Sequence, residues 1–129
     1  PAPDTRRFIR GRLRDTFQLY HLLDRLQSDV AVGAYVSPRF SFQVDFAYKP
    51  NGRLRYFQAL SRQHDLGDAS RLCFVFDRIR AQAPASMTAV TADSLPEDTR
   101  ALLGSSHIEP WPVSRLDELA LRVRDELGL

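Results

Sequence analysis

Asp45 and Gln58 are the residues of this chain whose types and spacing offer chemistry. They stand in the segments 40–48 and 54–60, on either side of Pro50-Asn51-Gly52. An Asn-Gly pair favours a two-residue hairpin because both residues tolerate positive φ. With Asn51-Gly52 as the loop, Pro50 faces Arg53 and Asp45 faces Gln58. A carboxylate then lies beside an amide in a sheet otherwise lined by Phe and Tyr. One reading is a polar cross-strand pair, contributing a fraction of a kcal/mol. The other is part of a cation site, since hard divalent ions take oxygen ligands.

A second group is basic. Arg6, Arg7, Arg10 and Arg14 fall beside the apolar stripe of the first helical stretch, and Arg53 and Arg55 follow the hairpin turn. Guanidinium groups bind phosphates in fixed geometry, so such a set would track a nucleic-acid backbone; a solvated helix face is the plainer reading. The charge is uneven: residues 1–62 carry +6 and residues 63–129 carry −4. That asymmetry fits a polyanion-facing surface or a dipolar soluble domain. Of the 18 basic side chains all but Lys49 are Arg, a bias that a GC-rich coding genome also produces.

Other chemistry is weakly supported. His64 precedes Asp65, but sequence neighbours do not face each other in regular structure, and the segment reads as surface loop. Cys73 lies on an apolar helical stripe and reads as a small core residue, with no basic partner nearby. One cysteine leaves no internal disulfide and no multi-cysteine zinc site. His21, His64 and His107 lack zinc spacing, the six glycines form no phosphate loop, and no Ser nucleophile elbow occurs. Trp111, between Pro110 and Pro112, reads as an edge-strand core anchor rather than an exposed stacking side chain.

The elements that position these residues follow from periodicity. A chain of 129 residues with 43% hydrophobic and 26% charged side chains fits a single domain, 1–129. It is expected to be a fragment of a larger protein, bacterial or phage. No apolar run is long enough to span a membrane and no signal peptide is evident, so a cytoplasmic location is the default. Ile9, Leu13, Phe17, Tyr20, Leu23 and Leu26 predict a helix over 4–28, capped by Asp4 or Thr5. Val30–Val36 predicts a strand. Phe40, Phe42, Val44, Phe46 and Tyr48 alternate with smaller or polar residues, placing them on one face of the hairpin. Further predictions are a loop over 62–67, a helix over 69–82 capped by Asp68 and a strand over 87–92. A helix after a capping box at Ser94 ends at Gly104, followed by an edge strand over 108–113 and a last helix opened by Ser114. The order is α-β-β-β-α-β-α-β-α, an α/β fold with a mixed central sheet, antiparallel first and then extended by parallel crossovers.

An α-β-β-β-α-β core with Asp45 on the second strand and Gln58-Ala59-Leu60 on the third resembles the PD-(D/E)XK, or restriction-endonuclease-like, superfamily. The resemblance spans about Thr5 to Val113 and rests on element order and half a motif. It implies that Asp45 binds a divalent metal and that Gln58 occupies the acid-or-glutamine position. Leu60 stands where that signature has Lys. Metal-dependent phosphodiester cleavage needs carboxylates around the ion and a cation or base near the water. Asp15, Asp24 and Asp29 are further acids within reach in sequence, and Lys49 is too far along the strand. The resemblance therefore implies a degenerate site: no cofactor, with Mg2+ or Mn2+ only if the site is active. The expected function is a non-catalytic or weakly catalytic nuclease-like domain contacting DNA or RNA through its arginines. The alternatives are a protein-interaction or homodimerisation module, and an active metal-dependent nuclease.

Overall fold

A computed structural model describes residues 5–61 and 65–129. Five strands form one mixed sheet in the order β1-β2-β3-β4-β5: β1 (Gln27–Ala31), β2 (Gln43–Tyr48), β3 (Leu54–Ala59), β4 (Ala85–Thr91) and β5 (Ile108–Pro112). β2 runs antiparallel to both β1 and β3, and β4 and β5 add in parallel. Four helices cover the sheet: α1 (Arg6–Leu19), α2 (Asp65–Arg80), α3 (Glu97–Ser105) and α4 (Leu116–Glu126). The element order and the mixed α/β sheet are those the periodicity predicts. No helix among the described residues is long and apolar enough to cross a membrane.

Each face of the sheet has its own core. Ile9, Leu13 and Phe17 of α1 and Leu116, Leu119, Ala120 and Val123 of α4 bury Phe46, Phe57, Ala59 and Val90. Phe17 meets Phe46 and Phe57 edge-on, with ring centroids 5.5 and 5.4 Å away. Burying one such ring contributes about 1.5–3 kcal/mol. On the other face, Leu72, Val75, Phe76 and Ile79 of α2 and Leu103 of α3 cover Ala47, Tyr56, Met87 and Ala89.

The hairpin turn follows its sequence. Asn51 and Gly52 both have positive φ (54° and 81°), and Arg53 N–H closes the turn onto the Pro50 carbonyl at 3.1 Å. The pairs Phe46–Phe57, Ala47–Tyr56 and Tyr48–Arg55 carry the register toward Asp45 and Gln58.

Several boundaries differ from the predicted ones. α1 stops at Leu19, because His21 takes a left-handed conformation (φ 58°) and Leu22 N–H turns back to the Phe17 carbonyl at 2.8 Å. Residues 23–25 are a separate 3-10 turn. Thr5 is the cap of α1, accepting from Phe8 N–H at 3.3 Å; Asp4 lies outside the described residues. The first strand begins at Gln27 and ends at Ala31, since Gly33–Tyr35 is a 3-10 turn. Gly33 is required there: a Cβ would stand 1.7 Å from the Phe40 carbonyl oxygen. α2 already includes Asp65–Asp68, so Asp68 is a first-turn residue rather than the cap. α3 begins at Glu97 after Pro96 without a side-chain cap, and Gly104 lies inside it. Its stop is His107, again left-handed (φ 60°), with N–H on the Gly104 carbonyl. Ser114 does not cap the last helix; its N–H donates to Asp93 at 3.0 Å.

The β2 alternation also changes phase. Phe46 and Tyr48 face α1 and α4, whereas Val44, Phe42 and Phe40 pack on the α2 side. The change falls at Asp45, where the β2–β3 ladder has ended while the β1–β2 register runs on.

Candidate functional site

Asp45 is only 2% exposed, and both its oxygens are engaged. Oδ1 accepts from Arg6 Nη2 at 2.6 Å and from Arg10 Nε at 3.0 Å. Oδ2 accepts from the Ala59 backbone N–H at 2.8 Å, and the Asp45 N–H donates to Gln58 Oε1 at 2.9 Å. Where the β2–β3 ladder stops, these two side chains make the bonds that backbone carbonyls would otherwise make. A buried carboxylate needs such partners, because an unpaired one would carry a large desolvation cost.

Arg10 does more than neutralise Asp45. Its Nη2 donates to Asp29 Oδ1 at 2.9 Å, and the guanidinium lies 5.4 Å from the Phe46 ring centroid. Asp29 faces Asp45 in the β1–β2 register, which keeps its pairing on both sides, and takes positive φ (52°). Of the acids considered from sequence, Asp29 thus approaches Asp45, while Asp15 and Asp24 are exposed. A guanidinium fork occupies the space between the two carboxylates, and the Gln58 oxygen already accepts a backbone N–H. This donor set does not fit a divalent cation. Among the described residues no group of three or more His, Cys, Asp or Glu is placed to hold one.

The six arginines singled out from sequence divide. Arg6 and Arg10 meet at Asp45. Arg7 and Arg14 are exposed, seven residues apart on one side of α1. Arg53 is exposed at the hairpin turn and Arg55 is the second residue of β3, about 13 Å along the strand from Ala59 at 3.3 Å per residue. Arg55 is committed to Glu126 at 2.7 Å and to Ser86 at 2.7 Å. Glu126 also accepts from the Tyr48 hydroxyl. Burial, and then the Glu126 carboxylate, push the Tyr48 phenol well above its usual range.

Gln58 and Arg6 border a hollow of about 120 Å3 at the carboxyl end of β3, between the starts of α1 and α2. Arg71, which the helical pattern places on an outer face, lines the same hollow. It lies 5.5 Å from the Phe40 ring and 5.4 Å from the Phe42 ring, and donates to the Ser41 carbonyl at 3.2 Å. Phe74 is half exposed nearby, 6.1 Å from Phe40 and beneath Arg78. No local sequence signal joins Arg71 to Phe40 and Phe42, because the contact spans about 30 residues of chain.

The remaining candidates are simple to place. His64 lies outside the described residues, as does the side chain of Asp65. Cys73 is buried, with its thiol pushed up by desolvation. Trp111 is partly buried at the β5 edge, between the Arg115 and Arg122 guanidiniums at 5.4 and 5.1 Å. No protein-family model matches the chain, and no curated protein does.

Proposed function

We propose that this chain is a non-catalytic, nuclease-like domain of a bacterial or phage protein. It contacts nucleic acid with the end of the sheet where α1 and α2 begin. The observation that carries the reading is the state of Asp45: two guanidiniums and a backbone N–H saturate the carboxylate that a hydrolytic site would offer to a metal. The element order α-β-β-β-α-β, with Asp45 on β2 and Gln58 on β3, supports the nuclease-like scaffold. Arg7 and Arg14 supply phosphate contacts, Arg6 and Arg71 extend them to the rim of the hollow, and Phe40, Phe42 and Phe74 offer rings for bases. A cytoplasmic site of action is in keeping with the single, unpaired Cys73.

Titration with short single- and double-stranded DNA and RNA at several salt concentrations, with manganese present and products run on a gel, tests this. The expected result is binding without cleavage. Three to four phosphate contacts give a slope of log K against log salt of about −3 on duplex, and Arg7→Glu with Arg14→Glu reduces it. Cleavage abolished by Asp45→Asn would replace this reading with an active nuclease.

A second reading is a protein-interaction or dimerisation module, favoured by the exposed Phe74 among arginines, since aromatic and Arg side chains dominate protein interfaces. Concentration-dependent mass without nucleic-acid affinity would establish it.

A further inference from the structure

We propose that the hollow at the carboxyl end of β3 receives one unstacked guanine base. At about 120 Å3 it has the room of roughly four waters, enough for a single flat ring and too little for a stacked pair. Its walls are of two kinds. Phe42, Leu60 and Leu72 are apolar, whereas Gln58, Asp68 and Arg71 are polar. The polar set carries both signs of hydrogen bonding. Arg71 only donates, and its plane is pre-set by stacking on Phe40 and Phe42 and by its bond to the Ser41 carbonyl. Gln58 is 5% exposed and its oxygen is taken by the Asp45 N–H, so its amide NH2 is the end left for a ligand. Asp68 only accepts.

A bare phosphate would suit Arg6 and Arg71 but would meet Asp68 as a like charge, and an apolar group would leave the polar side chains unanswered. Guanine answers each: O6 and N7 accept from Arg71 and Gln58, while N1–H and the N2 amino group donate to Asp68. Arg6, at the rim, is placed for the attached phosphate. The base comes either from a free nucleotide or from a strand, and the strand case rests on the nucleic-acid reading above.

Proton–nitrogen NMR of the full chain, titrated with the 5′-monophosphates of guanosine, adenosine, cytidine and uridine, separates the outcomes. Guanosine monophosphate should shift the Gln58 side-chain amide and bind about tenfold tighter than the others, the discrimination of one bidentate pair. Asp68→Asn should remove the preference, and Arg71→Gln should weaken binding of guanosine monophosphate about tenfold. Both positions lie outside the buried core, so the variants are expected to fold. Equal affinity for all four nucleotides, or a preference untouched by Asp68→Asn, overturns the proposal. A parallel arm uses single-stranded octamers of dG and dA. Salt-sensitive binding of both with equal affinity sinks the base pocket and leaves the nucleic-acid reading standing. Binding of guanosine monophosphate with no octamer bound keeps the pocket and sinks that reading.

Discussion

At the scale of single residues, Asp45 shows how one carboxylate holds a region where two strands part. Removing it leaves the Ala59 N–H without its acceptor and two guanidiniums without their shared anion. Asp45→Ala should therefore lower the unfolding free energy by about 3 kcal/mol, the lower end for a broken buried pair because both arginines keep some contact with water. Asp45→Asn, which keeps the shape, should cost less; urea midpoints measure both, and equal midpoints for wild type and Asp45→Ala would refute the role. A second prediction concerns alkaline pH. The folded state holds the Tyr48 proton more tightly than the unfolded chain, and burial pushes Tyr56 up to about 12, helped by the neighbouring Tyr35 phenol. Stability from these phenols is intact below about pH 10, the ordinary phenol value, and is lost as pH climbs toward the folded values. Urea midpoints should fall from about pH 10 upward, and Tyr48→Phe should flatten part of that fall; an unchanged slope would exclude Tyr48 as a source. Asp45 and Gln58 were legible as neighbours because hairpin register follows from a two-residue turn. Their partners were not, since Arg6 and Arg10 arrive from 39 and 35 residues away.

Among the elements, what was legible followed periodicity, and what was missed followed single backbone conformations. The order of helices and strands came from apolar spacing that needs no long-range contact. Helix ends did not, because His21 and His107 take the left-handed position that a reader looks for in glycine. The phase change in β2 was invisible for a related reason: strict alternation assumes an unbroken ladder, and Asp45 breaks it. The segment between β1 and β2 is tightly built, with Gly33 pressed against the Phe40 carbonyl. Gly33→Ala should displace that segment at a cost of about 2 kcal/mol or more. It should also loosen the ring bed under Arg71, read as increased exchange of the Phe40–Phe42 amides. A variant as stable as the wild type would mean that the segment yields freely.

Over the whole molecule, the basic first half and acidic second half do not separate into two clean surfaces. Arg55 is drawn to Glu126 of the last helix and Arg124 to the Tyr20 carbonyl. The basic excess that remains is concentrated on α1, which is why salt dependence tests the proposed function better than net charge does. The strand order has a consequence for how the protein comes into being. Every strand pairs with its neighbour along the chain, so the sheet can lengthen at one edge as the polypeptide leaves the ribosome. The α2 side is complete once β5 is laid down. The α1 side is not, because Leu116, Leu119, Ala120 and Val123 come from the last element made. A nascent chain halted near residue 115 would carry one finished side and one oily side, and it is that intermediate, rather than the mature fold, that would call on a chaperone.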